Sequence, residues 1–162
     1  MFVRKSQIKR KAIALLAIQE QARRGLAKKL CLRFFAPGDA ELVEAVLDEL
    51  ENQKYLSDER YAIARLHTRS LRYGDRRLRE ELRHKGLDSE LIDNAMGTIE
   101  KSELERARAV WTRKFGASPQ DRKEHARQVR FLASRGFSFS VIEQVIKNCD
   151  ESTNSEDWTN YE

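Results

Sequence analysis

The sequence is poor in the residues that cross-link or break a chain. It has only two cysteines and two prolines among 162 residues. Cys31 and Cys149 are far apart, and neither belongs to a CxxC motif or has a histidine pair nearby, so we interpret both as small buried apolar side chains. No run approaches the roughly 18–20 consecutive apolar residues of a membrane span, and the N-terminus has no apolar signal core. We therefore expect a cytoplasmic protein that does not enter the membrane.

Sequence motifs of catalysis are also missing. There is no GxxxxGK[ST] or GxGxxG motif to cradle a phosphate. His67, His84 and His125 lie in polar stretches without a carboxylate or cysteine at ligand spacing, which is typical of solvated surface histidines. Glu80 and Glu81 are adjacent on a predicted helix and point to different faces. We expect no catalytic residue, metal, cofactor or small-molecule substrate, and hence a protein that is not an enzyme.

Apolar residues recur at helical spacing along almost the whole chain. Three helices are predicted before residue 53, the first from Ile8 to Gln19. We expect Gly86 and Gly136 to end helices in the left-handed conformation, and Ser118 and Pro119 to provide a cap and a first helical residue. The later helices are predicted near 57–73, 75–85, 88–98, 102–115, 119–134 and 138–148.

An internal repeat organises these helices. Shifting the sequence by fifty residues superimposes Leu82, Gly86 and Leu87 on Leu132, Gly136 and Phe137. The sequence therefore predicts an all-α fold of three tandem three-helix repeats that form an elongated, curved protein, which we expect to be a monomer. The predicted segments are an N-terminal extension (1–9), repeat 1 (10–55), repeat 2 (56–100), repeat 3 (101–149) and a disordered acidic tail (150–162).

Charge alternates along the chain with the same period. Residues 1–33, 59–86 and 107–136 are net basic, whereas 34–58, 87–106 and 137–162 are net acidic. Each predicted repeat thus has a basic first pair of helices and an acidic third helix.

The basic helices supply the candidate binding residues. Arginine suits both phosphate and acidic protein surfaces, and one basic block recurs in each repeat. The alternative is a solvated face, because Glu80 and Glu81 can pair with several nearby arginines. The candidates are Arg72, Arg76, Arg77, Arg79, Arg83 and Lys85 in repeat 2, and Arg113, Lys114, Arg122, Lys123, Arg127 and Arg130 in repeat 3. Weaker candidates are Arg23, Arg24, Lys28, Lys29 and Arg33 in repeat 1.

Several ordered blocks of the sequence resemble the RecX family of RecA modulators. They are Tyr55-Leu56-Ser57-Asp58-Glu59-Arg60-Tyr61, Tyr73-Gly74 with Arg77, Glu81-Leu82 and Lys85-Gly86, Arg113-Lys114-Phe115-Gly116, Arg130-Phe131-Leu132 and Arg135-Gly136-Phe137. The resemblance covers roughly residues 10–150. One departure is Ala22-Arg23-Arg24-Gly25-Leu26, where the serine-initiated, acidic helix start of the family is missing, so we expect a frayed or differently docked first repeat.

The resemblance implies a function as well as a fold. It implies a protein that lies along the RecA–DNA filament, touches neighbouring protomers, and restrains strand exchange and coupled ATP hydrolysis without catalytic residues of its own. The residues themselves leave open a second reading, a direct DNA binder of helix-turn-helix type. Asn and Gln, which often read bases, are scarce in the basic helices, and this disfavours the second reading.

Overall fold

The structure is a computed structural model that describes the backbone of residues 2–153 and the side chains of residues 2–148. Residues 2–153 form nine α-helices and no β-strand, which confirms the predicted all-α fold. None of these helices is both long enough and apolar enough to cross a membrane. The helices are α1 (Phe2–Ile18), α2 (Arg23–Arg33), α3 (Asp39–Asn52), α4 (Asp58–Arg69), α5 (Asp75–His84), α6 (Ser89–Met96), α7 (Glu103–Lys114), α8 (Arg122–Ser134) and α9 (Phe139–Thr153).

The helices are distributed over two compact units. Unit 1 contains the residues up to Arg65 together with Glu81–Thr98, and unit 2 contains Leu66–Glu80 together with the residues from Ile99 onward. The division falls within α4 and within α5, so the residues predicted as repeat 2 contribute to both units.

The core of unit 1 is built by α1, α2 and α3, which pack against one another. The apolar residues on the inner face of each helix recur every three or four positions and are buried, as the amphipathic pattern predicts. The missing side-chain cap of α2 is replaced from a distance, because the backbone N–H of Arg23 donates to Asp58 Oδ1 over 2.6 Å. The prediction for Cys31 is wrong, since this residue is exposed on α2; the side chain of Cys149 lies outside the described residues. The buried core includes Ile8, Ala12, Leu26, Leu30, Val43, Val46, Leu47 and Leu50.

The core of unit 2 lies between α7, α8 and α9. One polar contact is buried within it, where Trp111 Nε1 donates to Gln128 Oε1 over 2.7 Å. This hydrogen bond satisfies the indole N–H, which would otherwise be costly to bury. The apolar part of this core consists of Ala107, Val110, Trp111, Leu132, Phe137, Ile142, Val145 and Ile146.

Most predicted helix ends are confirmed. Gly86 and Gly136 follow α5 and α8 with φ of +87° and +85°, the left-handed conformation that glycine adopts without strain. Ser102 and Glu105 form a capping box at the start of α7. The prediction around Pro119 is wrong, because α8 begins at Arg122 and its cap is Asp121, whose carboxylate accepts from the N–H of Glu124 over 2.7 Å.

Three other boundaries differ from the sequence prediction. Helix α4 ends at Arg69 and a turn replaces its expected last residues, because a buried contact holds the backbone there, as described below. Helix α1 begins at Phe2, within the segment predicted as an extension, and α9 continues past residue 149 to Thr153. The remainder of the predicted tail, with Trp158 and Tyr161, lies outside the described residues.

Candidate functional site

The first basic candidate, Arg23, is engaged inside unit 1. Its guanidinium forms ion pairs of 2.7–2.8 Å with the carboxylates of Glu44, Asp48 and Glu51, all on α3. Burial lowers the pKa of Arg23, but these hydrogen bonds outweigh that effect and hold its pKa above the usual value. The basic start of α2 is therefore neutralised by the acidic face of α3.

The other charges of unit 1 differ in their contacts. Arg4 donates to Asp39 over 2.7 Å, and this hydrogen bond lowers the pKa of the nearly buried carboxyl against the opposing effect of burial. Lys29 donates to the side-chain oxygen of Gln21 over 2.7 Å. The side chain of Arg24 lies against Gly86, where an added Cβ would approach its Cδ to 2.7 Å. The two other candidates of this region, Lys28 and Arg33, are exposed.

The turn between α4 and α5 is held by a buried arginine of α7. The Nη1 atom of Arg106 donates to the carbonyl oxygens of Ser70 and Tyr73 over 3.2 and 2.7 Å, and its Nη2 pairs with Asp75. Only 3% of the Arg106 side chain is exposed. Arg106 lies one turn before Val110 and therefore on the buried face of α7. At this position the guanidinium forms hydrogen bonds where an apolar side chain would form only packing contacts.

The same turn packs against the end of α8. The N–H of Gly74 donates to the carbonyl of Arg135 over 2.9 Å, and a Cβ at position 74 would collide with the backbone of Gly136. Arg76 and Arg77 donate to the carbonyls of Ala133 and Ser134 over 3.2 and 3.1 Å. These two candidate arginines thus satisfy carbonyls at the C-terminus of α8, where positive charge also favours the helix dipole.

Three arginines converge on the ring of Tyr73, in the α4–α5 turn. The guanidinium carbons of Arg69 and Arg77 lie 4.2 and 4.3 Å from the ring centroid, and that of Arg135 lies 5.5 Å away. These distances are within the range of cation–π attraction. We call this group, Arg69, Tyr73, Arg77 and Arg135, the arginine–tyrosine cluster; all of it belongs to unit 2.

An open groove of about 230 Å³ adjoins the cluster through Arg135, which lines it. The ring of Phe131 lies in its wall, with Arg135 at 5.1 Å and Lys114 Nζ at 6.0 Å from the ring centroid. Four of its six lining residues are cationic. We call it the basic groove, lined by Arg72, Val110, Arg113, Lys114, Phe131 and Arg135.

The remaining candidates lie outside the cluster and the groove. Arg83 and Lys85 are exposed near the end of α5, and Arg79 is partly buried on the same helix. The carboxylate of Glu81 pairs with Arg65 of α4. On α8, Arg122, Lys123, Arg127 and Arg130 are exposed, and Arg127 lies 5.8 Å from the ring of Phe115.

Sequence reasoning missed three residues of the arginine–tyrosine cluster and the buried arginine that holds its turn. Arg69 and Arg135 were not among the candidates because each lies outside the densest basic block, and Tyr73 carries no charge. A signal was present, since Tyr73-Gly74 and Arg135-Gly136 belong to the blocks that resemble a known family. Arg106 also gave a signal, because an arginine at a buried position of an amphipathic helix requires polar partners.

Comparisons with known proteins agree with this architecture. Residues 57–96 match the family model described as the second three-helix domain of RecX, and residues 101–146 match the third. A regulatory protein RecX from Leptothrix cholodnii is 43% identical over 145 residues, covering 88% of this chain and 89% of the relative. The protein of the same name from Ralstonia nicotianae is 39% identical, with 88% of each chain covered.

A solved structure shares the fold. The crystal structure of RecX from Lactobacillus salivarius superposes with a TM-score of 0.77 at 18% identity, covering 93% of this chain and 99% of that one. Together with the two three-helix domain matches, this likeness confirms the predicted all-α repeat fold.

Proposed function

Since the chain belongs to the RecX family, we propose that it is a regulatory protein that binds the RecA–DNA filament and inhibits strand exchange and the coupled ATP hydrolysis. The relatives that carry the name are called regulatory proteins. The protein would act by occupying the filament and would contribute no catalytic group.

The observation that carries this proposal is the surface of unit 2. The basic groove brings Arg72, Arg113 and Lys114 to one place, although Arg72 comes from a different basic block of the sequence. All three are exposed. An exposed concentration of positive charge has no evident value for stability, because such charges contribute little to folding and repel one another. It is suited to a partner that carries negative charge.

Weak individual contacts are sufficient for binding when the partner presents the same surface repeatedly. A filament presents the same surface many times, and the helical domains of one chain can engage neighbouring copies, so the second contact forms at high effective concentration. The proposal therefore requires several basic groups of ordinary affinity and no deep pocket.

The test measures strand exchange and ATP hydrolysis by RecA on single-stranded DNA, with increasing amounts of purified protein. We expect the triple variant Arg72→Ala, Arg113→Ala, Lys114→Ala to need about ten- to a hundred-fold more protein for half inhibition, because each of the three lost ionic contacts weakens binding by roughly two- to five-fold. The matched control removes three exposed positive charges that are not among the candidates, by Arg10→Ala, Arg108→Ala and Lys147→Ala. It should inhibit almost as the parent protein does.

Two outcomes would contradict the proposal. One is a parent protein that slows neither reaction when it is present in excess over RecA. The other is a groove variant that inhibits like the parent, which would identify the groove as a solvated face. Inhibition that disappears when DNA, but not RecA, is in excess would favour the alternative of a direct DNA binder that acts by sequestering DNA.

A further inference from the structure

We propose that the acidic segment of this chain, residues 154–162, binds in the basic groove and competes there with the anionic partner. The segment lies outside the described residues and follows α9 of unit 2 directly in the sequence. The proposal rests on the proposed function for its consequence, which is that the chain restrains its own binding surface.

The groove carries positive charge that its own walls do not balance. Its described lining consists of four cationic residues with Val110 and Phe131, and includes no carboxylate. Arg135 and Lys114 instead lie near the ring of Phe131, at 5.1 and 6.0 Å from its centroid. An aromatic ring attracts a cation without cancelling its charge. The groove therefore keeps its attraction for carboxylates.

The order of charges along the chain places a set of carboxylates in and just before this segment. In unit 1, the basic start of α2 is neutralised by carboxylates of α3, which pair with Arg23. In the last acidic stretch, residues 137–162, only one of the six acidic residues, Glu143, comes before position 150. The acidic counterpart of the basic helices of unit 2 is thus concentrated after that position. Its five residues are Asp150, Glu151, Glu156, Asp157 and Glu162.

The segment is long enough to reach the groove. Helix α9 packs against α7, which supplies Val110, Arg113 and Lys114 to the groove. Nine residues follow the end of α9 at Thr153, and an extended chain of that length spans about 30 Å. Helix α7, with 12 residues, is about 18 Å long. The segment can therefore run along the whole of α7 from the neighbouring helix.

A weak interaction is sufficient, because the segment is joined to the unit that it binds. Glu156 and Asp157 can pair with the cations of the groove, and the rings of Trp158 and Tyr161 can stack on its guanidinium groups. A short connection gives an effective concentration of the order of 1 mM, so an intrinsic dissociation constant between about 1 and 0.1 mM fills the groove for about half to nine-tenths of the time. An external anion then binds about two- to ten-fold more weakly, because only the open fraction is competent.

The test measures acrylamide quenching of Trp158 fluorescence in the full chain, with no partner present. Trp111, the other tryptophan, is 5% exposed; its signal is measured in Trp158→Phe and subtracted. At about 0.01 M salt, we expect Trp158 to be quenched about two- to ten-fold less in the parent than in the variant Arg113→Ala, Lys114→Ala. At about 1 M salt, where the Debye length is about 3 Å, parent and variant should be quenched alike.

The matched control removes two exposed charges that do not line the groove, by Arg10→Ala and Arg108→Ala. Trp158 should stay protected in this control. The variant Glu156→Gln, Asp157→Asn removes the charges of the other partner and should lose the protection as the groove variant does. Circular dichroism establishes that each variant is folded.

Exchanging the charges of both partners separates a direct contact from an indirect effect. Arg113→Glu with Lys114→Glu, combined with Glu156→Lys and Asp157→Lys, should restore part of the protection of Trp158. Equal quenching of Trp158 in the parent and in the groove variant at low salt would overturn the proposal. So would protection that increases with protein concentration, since the segment would then bind a second copy of the chain.

The two proposals fail separately. Glu156→Gln with Asp157→Asn should inhibit RecA at about two- to ten-fold lower concentration than the parent, because its groove is open. If Trp158 were not protected in a parent protein that inhibits RecA, the binding of the segment would be refuted and the regulatory function retained. If Trp158 were protected as expected while neither the parent nor the variant affected RecA, the regulatory function would be refuted and the binding of the segment retained. Protection without any gain of inhibition in the variant of an inhibitory parent would refute the competition.

Discussion

Replacing Arg106 by alanine tests whether a single buried side chain holds the turn that presents Tyr73. The guanidinium donates to the carbonyls of Ser70 and Tyr73, reaches that of Lys101 over 3.3 Å, and pairs with Asp75. Alanine keeps the helix, since it is the best helix former, but removes all four contacts.

The magnitude depends on what each partner finds instead. Asp75 is 42% exposed and can be hydrated, so little of the cost arises from a stranded charge. The carbonyl of Ser70 is in a buried hydrogen bond, and that of Tyr73 in a partly buried one. A buried carbonyl left without a donor costs about 1–3 kcal/mol, and the cavity adds to this. Two carbonyls left without their donor, together with the cavity, lead us to expect that Arg106→Ala lowers the free energy of unfolding by about 3–5 kcal/mol.

Urea unfolding followed by far-ultraviolet circular dichroism measures this change. Arg106→Lys keeps the charge but cannot form the fork of hydrogen bonds, and should lose an intermediate amount. Arg108→Ala is the matched control on the same helix; its side chain is exposed, so we expect a change within about 0.5 kcal/mol. A loss of less than about 1 kcal/mol for Arg106→Ala would refute the assigned role, because exposed sites show changes of that size.

Three further predictions concern stability, each measured by urea unfolding. Gly136→Ala should lower the free energy of unfolding by more than about 1 kcal/mol, because the φ of this residue is +85° and an added Cβ would meet the backbone of α5. The control is Gly25→Ala, which should be neutral or stabilising because no atom lies within 4 Å of an added Cβ there. Leu82→Ala should cost about 2–5 kcal/mol, since this side chain is 1% exposed; an unchanged midpoint would contradict its burial. The hydrogen bond from Arg4 lowers the pKa of Asp39 below its usual value of 3.8. The ionised carboxylate therefore stabilises the fold fully above that pH, and this stabilisation is lost as the pH falls through the lower pKa of the folded state. Asp39→Asn should remove this part of the acid dependence of stability, and an unchanged dependence of the free energy of unfolding on pH would refute the assignment.

The helices could be predicted from the sequence because their signals are local. The Ser102–Glu105 capping box and the glycines at 86 and 136 act within one turn of a helix, and both glycines end helices where the sequence predicted it. The prediction at Pro119 was wrong because two such local signals compete there. Two acceptable caps lie close together there, and Asp121, which can cap without placing proline in the helix, is the one used.

The site could be predicted only in part, because its geometry depends on contacts distant in sequence. Counting charges found Arg77 and Arg113 but gave no sign that Arg77 lies over Tyr73 or donates to the end of α8. The same count of charges also made Arg23 a candidate, although carboxylates of α3 neutralise it. Spacing along a helix cannot separate these cases, since the deciding partner lies in another helix.

The chemical nature of that partner decides what a basic block does. In unit 1, Arg4 and Arg23 meet carboxylates, so internal ion pairs neutralise the charge of these two arginines. In unit 2, Arg77 and Arg135 meet a carbonyl, a ring, or both. A carboxylate orients a guanidinium and cancels its charge, whereas a carbonyl or an aromatic ring orients it and leaves the charge in place. A basic block therefore becomes a surface for an anionic partner where its internal contacts are uncharged, and this is why the proposed binding surface lies in unit 2.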